Sequence, residues 1–186
     1  MSAQERFDAL HRALFAGGEG QFLYAVLDGA SISNLPLLFA QHDIVNTCLF
    51  RGELDPELTQ TAPYLAQLPA ESAFTRLLFT QGIGNHWGIL ALSKEDFPTL
   101  RMHFRKFLMV WGPDGKPLYF RYYDPRVLRI YLPTCNSEEL ALLFGPVTAY
   151  FAEGEASDLL RFGFSGTALA QQPLPLPPME SPAAEA

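Results

Sequence analysis

At 186 residues the chain has the length of one ordinary domain, enough to bury a core without disulfide or metal staples. A net charge of −7 and a pI near 5.0 exclude a general nucleic-acid binder, which needs a basic footprint to displace counterions from phosphates. The chain is 48% hydrophobic and 13% aromatic, with charged residues at 18%. That is below the roughly 25% charge of an average soluble domain. It fits a well-filled core and leaves room for one exposed apolar patch.

The first nineteen residues read as an amphipathic helix. Phe7, Leu10, His11, Leu14 and Phe15 fall at helical spacing, and Gly17-Gly18 stops it. Glu5, Arg6, Asp8 and Arg12 interrupt any apolar run, so no signal peptide is expected. No stretch reaches the roughly 18 apolar residues of a membrane span. Two sparse cysteines, Cys48 and Cys135, suit a reducing compartment and form no metal knuckle. The expected location is the cytoplasm, with no membrane and no nucleic acid as partner.

Residues 20–165 read as one compact α/β domain, a mixed β-sheet flanked by helices. Phe22 to Leu27 is a strand ended by Asp28-Gly29, and Leu35 to Ala40 is a helix. Val45 to Phe50 is a strand, and Asp55-Pro56 opens a turn or short helix. Ala62 to Leu68 carries Pro63, which restricts it to an edge strand. Ser72 to Gln81 is helical, and His86 to Leu92 is a strand. Ser93 and Asp96 form a capping-box pattern ahead of Phe97, Leu100, Phe104 and Phe107. Arg101, His103, Arg105 and Lys106 make a dense basic segment; Arg101, Arg105 and Lys106 lie toward the end of that helix and either complement its dipole or bind phosphate.

Phe107 to Trp111 and Leu118 to Tyr123 flank Asp114-Gly115, a hairpin signal. The second strand turns Tyr119, Arg121 and Tyr123 to one face. Asp124-Pro125 is a cap followed by a first-position proline and starts a helix over Val127, Leu128 and Tyr131. Ser137 to Phe144 is a helix stopped by Gly145-Pro146, and Val147 to Phe151 and Leu159 to Phe164 are closing strands. From Gly166 to Ala186 the chain holds five prolines and reads as a flexible tail, with Pro175 and Pro178 in a PxxP.

The recognisable catalytic motifs are missing. There is no G-x-S-x-G elbow and no H-E-x-x-H helix, and Gly82-Ile-Gly84-Asn-His86-Trp-Gly88 fits neither a dinucleotide loop nor a P-loop. No metal or cofactor is expected. One chemical alternative remains: a hydrolase or transferase in which His86 meets Asp28, with Arg121 and Asp124 beside them. The segment Leu118 to Leu128 carries the most information. Arg126 sits in the first turn of a helix, where a cation needs an acidic partner. Arg121 and Arg126 either bridge internally to Asp28 or Asp124, or form a polar recognition site at a strand end.

An ordered series of segments adds a family likeness. FLYAVLDGA (22–30), APYLAQL (62–68), GNHWGILALS (84–93), HFRKFLMV (103–110), LYFRYYDPRVL (118–128) and FGPV (144–147) follow one another. The series resembles the bacterial type VI secretion chaperone/adaptor family, long catalogued as a domain of unknown function. The resemblance implies a non-enzymatic protein without cofactors. Its partners would be a toxic effector, held through an N-terminal segment, and the VgrG spike. It also marks Asp28, Tyr64, His86, Trp87, Arg105, Arg121, Tyr123, Asp124, Pro125 and Arg126 as signature or binding residues.

Overall fold

Residues Phe22–Asp28 form β1, and every residue from Leu23 to Asp28 is buried. A strand buried on both faces has to lie inside a sheet that is covered on both sides. The structure, a computed structural model, describes residues 3–16, 20–155 and 158–174. It sets β1 within a seven-stranded sheet. From edge to edge the sheet runs β2 (Asn46–Cys48), β3 (Pro63–Gln67), β1, β4 (Gly88–Ser93), β7 (Val147–Glu153), β8 (Leu159–Phe164) and β9 (Leu169–Leu174). Two further strands, β5 (Met109–Trp111) and β6 (Pro117–Tyr119), pair only with each other.

The expected α/β architecture, a sheet flanked by helices, is present. Every ladder in the large sheet is antiparallel. The strand–helix alternation of the sequence has a specific origin. β1 and β2 run the same way, but β3 lies between them; β3 and β4 likewise flank β1. The helical connections from β1 to β2 and from β3 to β4 therefore each skip one strand, as in a split β-α-β unit.

Side chains alternate across the sheet and build two cores. Leu23, Ala25 and Leu27 face α1 (Ala3–Phe15), α2 (Leu35–Gln41) and α4 (Ala73–Leu77), which runs on into a π-helical turn at Leu78–Gly82. Tyr24 and Val26 face α5 (Phe97–Arg105), α6 (Pro125–Tyr131) and α7 (Ser137–Phe144). The short α3 (Pro56–Thr61) buries no residue and is capped by Asp55.

Several expectations need correction. β3 is an interior strand, because Pro63 stands at its first position, where the missing N–H breaks no ladder. Helix α5 is capped by Asp96, whose Oδ1 accepts from Thr99 N at 2.9 Å. Ser93 stays in β4 and donates to the Pro146 carbonyl, so the two residues form no capping box. The fourth strand begins at Gly88, since His86 takes a left-handed φ of 56°. The second hairpin strand stops at Tyr119, because the chain must turn to enter α6, and Tyr122 and Tyr123 are both buried. The sheet continues past Gly166, with Pro173 tolerated on the edge strand β9. The Gly17-Gly18 stop and the Pro175/Pro178 pair lie outside the described residues.

Two features yield tests. At Gly88 an added Cβ would stand 2.2 Å from the Val26 carbonyl oxygen, so β4 can approach β1 only without a side chain there. Gly88→Ala is expected to cost about 1–3 kcal/mol, read as a lower urea midpoint.

His103, a member of the dense basic segment, is buried, with Nε2 2.9 Å from the Leu143 carbonyl oxygen. Burial pulls its pKa down to about 4, and the bond to Leu143 opposes this only in part. Between that value and the ordinary 6.5 the unfolded chain binds a proton that the folded chain refuses. Stability is therefore full above that window and falls on acidification through it, by roughly 3 kcal/mol. Thermal melts of His103→Gln between the two pH limits should show a flatter slope than the unsubstituted chain.

Candidate functional site: a charged cluster at one end of the sheet

The alternation that places Tyr24 and Val26 under α5–α7 carries Asp28, the last residue of β1, to the same face. Its carboxylate is buried, with 2% of the residue exposed, and needs partners. It finds three. Arg121 donates to Oδ2, Ser31 Oγ donates to Oδ2 at 3.1 Å, and Ala30 N donates to Oδ1 at 3.1 Å. Burial works against the Arg121 charge, but Asp28, Tyr123 and Asp124 together outweigh it and hold the guanidinium above its ordinary pKa. The Arg121 guanidinium also lies 5.8 Å from the Tyr123 ring centre, and Tyr123 is itself buried.

The next residues form the head of α6. Asp124 caps the helix by accepting from Arg126 N at 3.0 Å, and Pro125 occupies the first turn. The Arg126 side chain folds back on the same carboxylate, with Nε 3.0 Å from Oδ1 and Nη2 2.6 Å from Oδ2. The acidic partner required by a cation at a helix start is thus the helix's own cap. Burial alone would raise the Asp124 pKa; its bonds to Arg126 reverse this and hold it below the usual carboxylate range.

His86 belongs to a different network. Its backbone N–H donates to Glu153 Oε1 at 3.0 Å, and Nδ1 lies 2.7 Å from Glu153 Oε2. Glu153 is buried at the end of β7, on the opposite face from Asp28, and its carbonyl accepts from Arg129 Nη1 at 3.1 Å. Asp28 and His86 come near only through backbone, where Asp28 N donates to the Trp87 carbonyl at 2.8 Å. The His86–Asp28 dyad is therefore not formed, since each side chain is committed elsewhere.

The remaining expected residues sit apart. Tyr64 is buried in β3 against Phe39 and donates its hydroxyl to the Thr59 carbonyl. Trp87 packs over Gly82, where an added Cβ would meet its ring at 2.8 Å. Arg105 leaves the helix end to donate to the Cys48 carbonyl at 2.8 Å and the Phe50 carbonyl at 3.4 Å. The sequence reading missed Glu153 and Arg129. The one signal for Glu153 was an acidic residue closing the buried strand pattern VTAYFAE. Among the described residues no group of histidine, cysteine and carboxylate side chains could hold a metal ion. No helix is long and apolar enough to cross a membrane among the same residues.

A family model described as a domain of unknown function, DUF4123, matches residues 23–142. The chain belongs to that family. The DUF4123 match runs from β1 to α7 and takes in the whole Asp28–Arg121–Asp124–Arg126 cluster; β7 and Glu153 fall beyond it. No curated protein and no solved structure matches the chain.

The two arginines are about equally exposed, but Arg121 ties the segment entering α6 to a strand far away in the chain, while Arg126 folds back on its own helix cap, which keeps its backbone N–H partner, so the two should differ in effect. Arg121→Ala leaves a buried carboxylate without its cation and is expected to cost about 2 kcal/mol, with Arg121→Lys intermediate. Arg126→Ala should cost at most about 1 kcal/mol. Equal losses in chemical denaturation of the two alanine variants would contradict this geometry.

Proposed function

We propose that this protein is a non-enzymatic adaptor that binds a cognate secreted effector and helps load it onto the VgrG spike of a type VI secretion system. Two things support the reading. The ordered segments from Phe22 to Val147 resemble that adaptor family. The observation that carries it on the structural side is the balance of exposure. The reactive-looking signature residues Asp28, Asp124 and Arg121 are tied up in one another and in backbone, which is the way of a framework. Large apolar residues meanwhile stand in solvent: Trp111 at 76%, Tyr119 at 72% and Leu118 at 51% exposure. Aromatic side chains of this kind supply the anchors of protein–protein contacts.

Co-expression tests the proposal. The tagged protein, produced with an effector encoded beside it in a type VI secretion locus and with VgrG, should retain the effector through affinity and size-exclusion steps. Loss of both partners from the purified protein would sink it.

A further inference from the structure

The β5–β6 hairpin is built from residues that ought to be covered. Its strands read Met109-Val-Trp111 and Pro117-Leu-Tyr119, and all six residues are exposed. A two-stranded ribbon has no second layer of its own and is marginal alone. Here it is anchored at its base, where Phe120 N donates to the Leu108 carbonyl and the Tyr119 ring lies 5.7 Å from Phe50. Beside that base lies a groove of about 530 Å³. Leu49, Leu54, Leu58, Leu108, Met109 and Tyr119 give it apolar walls.

The rim of the groove is cationic. Arg51, Arg105 and Lys106 line it. Arg101 stands close enough for its charge, with that of Arg51, to help depress the Arg105 pKa after burial has done most of the work. Among the described residues none of these four cations forms an ion pair with a carboxylate. Arg121, Arg126 and Arg129 each have a carboxylate partner, and the whole chain carries −7. A surplus of positive charge gathered around an apolar groove on an acidic protein is complementary to one kind of occupant.

We propose that the groove and the exposed hairpin together form a docking surface for an acidic amphipathic segment of a partner protein. The apolar side chains of the segment enter the groove and cover Trp111, Leu118 and Tyr119. Its carboxylates meet Arg51, Arg101 and Lys106. Pairing along the free edge of β2 is not the mode, since Arg105 already occupies the outward Cys48 carbonyl. Nucleic acid is disfavoured by the overall negative charge and by the aliphatic walls. The surface rests on its own residues; only the identification of the partner as a secreted effector rests on the adaptor reading.

The test uses the full chain and a fluorescein-labelled synthetic helix with leucines on one face and glutamates on the other. A twin with lysines in place of the glutamates and a 20-nucleotide single-stranded DNA serve as competing probes. Anisotropy should show the acidic peptide binding at least tenfold more tightly than either competitor, and more weakly as salt rises. Arg51→Glu/Lys106→Glu and, separately, Trp111→Ala/Tyr119→Ala should each weaken it at least tenfold with thermal melting unchanged. Equal binding of the acidic and basic peptides, tighter binding of the DNA, or binding by both double variants at the unsubstituted level would overturn the surface. The same variants applied to the co-purified effector complex separate the two proposals. An effector retained in full by both variants overturns the surface and leaves the adaptor reading standing. A selective acidic-peptide site on a protein that retains no effector does the reverse.

Discussion

The layer over one face of the sheet is fastened by a buried carboxylate, Asp28, paired with the half-exposed Arg121. β4 and β7 are neighbours in the sheet, yet the chain between Ser93 and Val147 builds a whole covering layer before it returns. Such a long excursion has no strand of its own in the sheet to hold it in place. It is held by fasteners. At one end of the sheet Tyr24 donates to the Glu95 carbonyl and Ser93 donates to the Pro146 carbonyl. In the middle, His103 and Tyr150 share the Leu143 carbonyl. At the far end Arg121 reaches the carboxylate that closes β1. In the opposite layer α2 and α4 are short crossovers whose ends are fixed by the strands they connect, and α1 is fastened by Arg6 donating to the Ile83 carbonyl and Arg76 donating to Gln4 Oε1.

A fastener made of charge has to be neutral as a unit. Asp28 sits below the surface with Arg121 half in solvent above it, and Asp124 repeats the arrangement with Arg126. Each carboxylate is fully satisfied, so each arginine is held rather than offered. That is why the segment with the densest pattern of charged and aromatic residues carries little reactive promise. Several cations without a carboxylate partner among the described residues gather elsewhere, at the end of α5 and in the loop after β2.

Much of this was legible in the sequence where local rules and tertiary needs agree. Asp124-Pro125 had to cap and start a helix, and Phe22 to Leu27 had to be a buried strand; both do so. The Asp114-Gly115 turn had to close a hairpin, and Gly115 supplies the required positive φ of 73°. Reading failed where a side chain was recruited over distance. Arg105 looks like a dipole-complementing residue at a helix end, but it is spent on the Cys48 carbonyl of another strand. His86 looks like the natural partner of Asp28, yet strand alternation sends Glu153 to it and Asp28 to the other face. Neither choice can be read from spacing, because each depends on which strands become neighbours. The apolar hairpin was visible as two runs, but runs without polar alternation usually signal burial. Only the sheet order reveals that these two are left outside.

The treatment of the sheet edges bears on how the molecule can meet a partner. An open edge invites strand addition, and proteins that avoid it block the edge. β2 is three residues long and has its outward carbonyl capped by Arg105; β9 carries Pro173. Both edges of the large sheet are thus poor templates. A surface that recognises through side chains rather than through backbone is what remains, and the aromatic residues of the hairpin and the cations beside it are the side chains so exposed. The residue that closes the β2 edge also stands within the field of two like charges, Arg101 and Arg51. Blocking one mode of association therefore builds part of the electrostatic surface on which the other mode relies.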